Sequence, residues 1–294
     1  MNIPRGLLAC RPSSIAPPLV AAALLFAPPA AGSGDAGIAA LQVALHARGL
    51  YAGTIDGLRG PGTTAAVKRF QRRAGLAVDG IAGPRTRRAL GHYGRHLLGS
   101  RPLARGATGW DVAELQFLLA WHGFPSATFD GGLGARTERS LRRFQRWAGL
   151  PVDGIAGSGT LASLRRPSAR SPLALAWPLQ APLGDGFGPR GMRFHAGLDL
   201  LAARGTTVAT AAAGRVAFAG FAPGGWGNLV VVAHSDGVRT MYAHLATIAV
   251  RLRQLVAAGA ALGTVGASGN ASGPHLHFEV RFRGAAVDPL PALP

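Results

Sequence analysis

Moved by a fixed step of 74 residues, the first half of the chain falls onto itself. Leu41-Gln42 lands on Leu115-Gln116, Gly49 on Gly123, Asp56-Gly57 on Asp130-Gly131 and Phe70-Gln71 on Phe144-Gln145. The match runs on without a gap, from Ala74-Gly75-Leu76 on Ala148-Gly149-Leu150 to Asp79-Gly80-Ile81 on Asp153-Gly154-Ile155 and Thr86 on Thr160. Such a register means two copies of one small unit, over 36–91 and 108–165. Within a copy, apolar residues at helical spacing (Ile38, Leu41, Leu45) precede an Asp-Gly turn. Thr63 or Thr137 then caps a second helix carrying Val67 and Phe70, or Leu141 and Phe144, and a short third helix follows Gly83 or Gly157. Three short helices bury little, so Phe70 and Phe144 are assigned to packing, not to a ligand.

On these residues (LQ, DG, FQ, GL and VDG, closed by a glycine and a threonine) both copies resemble the peptidoglycan-binding three-helix module. The resemblance implies that bacterial peptidoglycan is a binding partner.

A linker over 166–176, with Pro167, Ser168, Arg170 and Pro172, reads as an exposed tether. Beyond it the periodicity changes. Short apolar runs at 207–210, 214–219, 229–233 and 278–282, separated by glycine-rich turns, predict an antiparallel β domain over 177–290. The fold class expected is therefore multidomain α+β: two three-helix modules followed by an antiparallel, sandwich-like β-sheet domain.

Of nine histidines, four fall in three contexts of that β domain: His195 with Asp199, His244 in Tyr242-Ala243-His244-Leu245, and His275 with His277. Residues two apart on a strand share a face, so His275 and His277 point the same way. An imidazole, a carboxylate and a second imidazole brought from separate segments form a mixed nitrogen and oxygen set that suits Zn²⁺ and leaves a fourth position for water. Glu279 shares their face, either as an acceptor that orients an imidazole or as a charged strand-end residue. Trp226 and Tyr242 face either the cleft or the core. His46, His92, His96, His122 and His234 have no such company and are read as structural or solvent-facing.

The segment from 187 to 290 resembles the lysostaphin-type zinc metallopeptidases throughout. It has the His195 to Asp199 spacing, the Gly225-Trp226-Gly227-Asn228 strand start, the Tyr-Ala-His-Leu segment and Ser272-Gly273-Pro274-His275-Leu276-His277-Phe278-Glu279, in that order. The resemblance implies His195, Asp199 and His277 as zinc ligands. It makes His244 and His275 the catalytic pair, His275 toward the water and His244 toward the oxyanion. It further implies an endopeptidase acting on peptide stems or cross-bridges of peptidoglycan. The alternative is a non-catalytic wall scaffold or an activator of another hydrolase; the presence of all five residues speaks against it. Residues 190–192, just before the first ligand, form a shorter loop than many relatives carry.

Arg5 and Arg11 precede an apolar stretch at 19–27 and small residues at 28–33, the pattern of a signal peptide over 1–32. The stretch is much shorter than the roughly 20 residues of a membrane span. Export to an extracellular or wall-associated location is expected, with no span after signal removal and a monomer as default. Cys10, the single cysteine, lies in this segment, which excludes cysteine nucleophiles, thiolate ligands and disulfides from the rest of the chain. The net charge of +18 favours a polyanionic partner. Nucleic acid is set aside, since no recognition motif accompanies the charge and export removes the opportunity.

Overall fold

The computed structural model describes residues 34–294; the signal segment and Cys10 lie outside the described residues. The first module is built from α1 (Ala36–His46), α2 (Pro61–Arg73) and α3 (Pro84–Ala89), followed by a helical turn α4 (His92–Arg95). The second is built from α5 (Trp110–Trp121), α6 (Ala135–Trp147) and α7 (Ser158–Leu164). Asp35 starts α1 by accepting the Ile38 amide at 2.8 Å. Proline opens α2 and α3, where its missing N–H costs nothing.

Thr63 and Thr137 do not cap their helices. The helices begin two residues earlier, after Gly60 and Gly134, and both threonines are buried. They complete a polar motif that recurs twice in each module. Gln42 donates to Asp56 Oδ1 (2.7 Å) and to Thr63 Oγ1 (3.2 Å) while its own oxygen accepts from Gly57 N (2.9 Å). Gln71 does the same with Asp79, Thr86 and Gly80. Gln116 repeats it with Asp130, Thr137 and Gly131, and Gln145 with Asp153, Thr160 and Gly154. The four glycines sit at φ between 70° and 78°, a left-handed turn that a side chain would strain. The repeat seen at 74 residues thus contains a finer one: a buried glutamine from one helix ties down the Asp-Gly turn before the next.

The β domain contains β1 (Gly188–Arg190), β2 (Arg193–His195), β3 (Leu198–Leu200), β4 (Thr207–Ala209), β5 (Gly214–Ala222) and β6 (Gly227–Ala233). After these come β7 (Val238–Ile248), β8 (Leu255–Val256), β9 (Ala261–Val265), β10 (Leu276–Phe282) and β11 (Ala285–Val287). Strands β3 to β11 form one antiparallel sheet with the path β11-β10-β7-β6-β5-β8; β3 joins β10, and β9 bridges β7 and β4. One apolar core, from Leu198 and Val230 to Leu262 and Phe278, draws on both arms of this sheet. Strands β1 and β2 form a separate two-stranded hairpin.

The modules rest on the β domain. Ile55 N donates to Gly191 O and Phe129 N to Met192 O, both at 2.9 Å, so each module grips the hairpin turn, and Ala286 N reaches Gly123 O at 3.3 Å. The linker read as an exposed tether is docked as well. Leu175 is buried in the β core with Ala169 and Leu173 against it, and the amides of Leu175 and Ala176 reach Ala292 O and Ala211 O at 2.8 Å each. Its apolar residues outweigh its prolines and charges. Gly123 lies at φ 85°, and a Cβ there would collide with the backbone of Ala286. Gly123→Ala is therefore expected to lower stability by about 2–4 kcal/mol through left-handed strain and overpacking. Chemical denaturation checks it; an unchanged midpoint would mean that α5 and β11 do not meet in solution.

Candidate metal centre

Antiparallel pairing of β3 with β10 sets Asp199 opposite His277, and pairing of β10 with β7 sets His277 opposite Ala243, next to His244. His195 enters from the end of β2, and His275 immediately precedes β10. The five residues of the sequence reading are thereby gathered. His277 Nδ1 lies 2.8 Å from Asp199 Oδ1 and 3.0 Å from His195 Nε2, and His195 Nε2 lies 3.1 Å from Asp199 Oδ1. All three side chains are buried. Outside this triangle, His275 Nε2 stands 3.8 Å from Asp199 Oδ1, and the rings of His244 and His275 are 4.8 Å apart.

Each imidazole is fixed through its other nitrogen. His195 Nδ1 donates to Gly186 O (2.8 Å), His244 Nδ1 to Ser268 O (2.8 Å) and His275 Nδ1 to Gly273 O (2.9 Å). A carbonyl only accepts, so these contacts set the tautomer and leave each Nε2 as an acceptor. His277 is turned the other way: its Nε2 donates to Glu279 Oε1 at 3.2 Å, leaving Nδ1 toward the triangle. The second Glu279 oxygen accepts from Arg281 at 2.8 Å. Glu279 is therefore the acceptor that orients an imidazole, not a strand-end charge.

Three acceptors within about 3 Å of one another in a buried place repel unless a cation lies among them. Burial opposes protonation of His277, but its hydrogen bonds to Asp199 and Glu279 push it up to about 9. Burial likewise opposes ionisation of Asp199, and its contacts with His195 and His277 override it to hold the carboxyl well below the usual range. Two imidazole nitrogens and one carboxylate oxygen are a donor set that suits a catalytic zinc, and their 2.8–3.1 Å spacings are tighter than the roughly 3.3–3.6 Å between tetrahedral ligands at about 2.0–2.2 Å. Among the described residues they are the one group of three such side chains close enough to hold an ion.

His244 adopts φ 62°, a left-handed conformation costly for histidine, held by its amide to Trp226 O at 3.0 Å. Strain of this kind persists where the surroundings enforce it, and here it aims the ring at His275 and His277.

Residues 193–289 match the family model of peptidase family M23. The C-terminal domain belongs to peptidase family M23. Residues 34–90 and 108–164 each match the peptidoglycan binding domain model, so the M23 domain follows two peptidoglycan-binding modules. The chain is 33% identical over 175 residues to the murein hydrolase activator NlpD of Salmonella dublin, covering 58% of this chain and 46% of that protein. It is 43% identical over 98 residues to the DD-carboxypeptidase/endopeptidase Mpg of Neisseria meningitidis serogroup B, covering 33% and 22%. The catalytic domain of lysostaphin from Staphylococcus simulans matches at 32% identity over 38% of this chain and 90% of that chain, with a TM-score of 0.36. The chain spans between about a fifth and about half of the length of the curated relatives it matches. Among the described residues no helix is long and apolar enough to cross a membrane.

Of the residues left open by sequence, Trp226 borders the M23 site, its ring 5.6 Å from that of His277. Tyr242 belongs to the core: it is fully buried, and its hydroxyl accepts from Ala211 N and Thr240 Oγ1 at 2.8 Å each. His46, His122 and His234 bond to backbone carbonyls away from the site. Sequence reasoning missed Arg190 as a site residue. Its guanidinium donates to Asp199 Oδ2 at 3.1 Å and to Asp185 at 2.8 Å, turning Oδ1 toward the histidines. No local pattern marks an arginine nine residues before the carboxylate it holds.

Outer partners of metal-bound histidines typically contribute 10–100-fold to affinity. Glu279→Ala is expected to weaken zinc binding by about that factor, measured by chelator competition. Equal affinity would remove Glu279 from the site.

Proposed function

We propose that the chain is a zinc-dependent endopeptidase that hydrolyses peptide stems or cross-bridges of bacterial peptidoglycan while its helical modules hold the wall. One observation supports this reading: His195, Asp199 and His277 bring ligand atoms within 3.1 Å of one another, and the rings of His244 and His275 stand beside them. His195, Asp199 and His277 would hold the zinc. When bound, zinc supplies Lewis acidity, polarising a carbonyl and bringing the pKa of water toward about 7.

The remaining roles are proton traffic. Burial, reinforced by His275 and His277, holds His244 below the ordinary histidine range, so it starts neutral with Nε2 as an acceptor. His275 Nε2 takes the proton of the attacking water, whose oxygen joins the peptide carbonyl carbon. The proton that His275 took from the water passes to the amine nitrogen as the C–N bond breaks. His244, once its Nε2 has taken a proton from solvent, donates to the oxyanion and keeps that proton. The chain acts in the cell envelope, exported and wall-associated, as a monomer.

A second reading, an activator of another hydrolase, draws on the 175-residue likeness to NlpD. His244→Ala separates the two. This variant is expected to keep its zinc and to lose the release of amino groups from purified peptidoglycan by at least about a hundredfold. A variant that stays as active as the native chain would sink the assignment of His244, and a zinc-loaded native chain that releases nothing would favour the activator.

A further inference from the structure

His195 differs from its two companions in what holds it. Asp199 and His277 lie on β3 and β10, hydrogen-bonded into the nine-stranded sheet. His195 ends a two-stranded hairpin outside that sheet. A lone hairpin is marginally stable in water and needs something to pack against. The β core and the first module, through Ile55 N on Gly191 O, supply part of that support, and the second helical module supplies an aromatic part. Trp121, the last residue of α5, meets Phe194 edge-on with ring centroids 5.3 Å apart and Phe187 at 6.2 Å, and those two rings meet at 5.0 Å. Phe194 precedes His195. Phe187 follows Gly186, whose carbonyl fixes the His195 ring. Gly188, the cross-strand partner of His195, lies under the same indole: a Cβ there would meet Trp121 Cη2 at 3.7 Å. The indole therefore touches the residue before the ligand and the residue after its carbonyl acceptor, and faces the residue opposite it.

We propose that Trp121 is a positioning residue of the metal centre, so that the second module sets the geometry in which His195 meets Asp199 and His277. This rests on the zinc reading above. Edge-on aromatic contacts contribute about 0.5–1.5 kcal/mol each beyond the area they bury, and removing the indole lets the hairpin shift relative to the sheet. A metal ligand that moves by a fraction of an ångström binds less well, whether or not substrate is present.

The test uses the full chain and two readouts that do not depend on turnover: the zinc dissociation constant by chelator competition, and the visible spectrum of the cobalt(II)-substituted protein. Trp121→Ala is expected to weaken zinc binding by about tenfold and to shift the cobalt bands, while Trp121→Phe restores most of both. Leu141→Ala, in the core of the same module and outside these contacts, is the control. It lowers the unfolding midpoint and leaves metal affinity and spectrum unchanged. If Trp121→Ala does not fold, Trp121→Leu takes its place with the same expectation. Native affinity and an unshifted spectrum in the folded Trp121 variant overturn the proposal, as does a Leu141→Ala variant that loses affinity to the same degree. A native chain that binds no zinc overturns the zinc reading itself and this inference with it.

Discussion

His277→Ala is expected to lose bound zinc and, with it, all hydrolysis of peptidoglycan above background. Losing only an outer partner of a ligand costs 10–100-fold in metal affinity, so losing the ligand is expected to cost more than about a hundredfold. The fold should stand, because the carboxylates that His277 leaves behind keep other partners. Glu279 retains Arg281 at 2.8 Å, and Asp199 retains Arg190 at 3.1 Å. Metal analysis after dialysis, beside a thermal melt, separates loss of the ion from loss of structure. A folded variant that still carries stoichiometric zinc would show that the ion sits elsewhere.

Gln116→Leu is expected to destabilise the second module by about 3 kcal/mol. The side chain is buried and serves as the hub of its motif: its oxygen accepts from Asp130 N and Gly131 N, and its amide donates to Asp130, Gly132 and Thr137. Leucine fills nearly the same space, so the loss is of hydrogen bonds and not of packing. Each buried donor left unpaired costs about 1–3 kcal/mol, and two backbone amides are left so. Because α5 also carries Trp121, chemical denaturation should show module and hairpin loosening together. An unchanged midpoint would mean that solvent replaces the glutamine without penalty.

The centre was largely legible in the sequence and the assembly was not. Strand periodicity put His275 and His277 on one face, while the choice of His195, Asp199 and His277 as ligands and of His244 and His275 as the catalytic pair came from the resemblance to the lysostaphin-type metallopeptidases. Glu279 was visible as a neighbour on that face, but its partner became clear only once the His277 ring orientation was known. The repeat was legible to the residue. Its cause was not, since Gln42 reaches Thr63 through a turn whose path the letters do not give. Part of the docking of the modules on the β domain is carried by backbone atoms, such as the carbonyls of Gly123, Gly191 and Met192, which have no signature by residue type. The linker misled for a related reason: its prolines and charges suggested solvent, while Leu173 and Leu175 decided where it lies.

The most direct test is the release of new amino groups from purified peptidoglycan by the native chain, measured as prepared, after chelation, and after zinc is returned. A zinc-dependent endopeptidase gives steady release that chelation abolishes and about one equivalent of zinc per chain restores. Binding to the wall with full zinc occupancy and no release in any of the three states would contradict hydrolysis and leave a wall-bound activator.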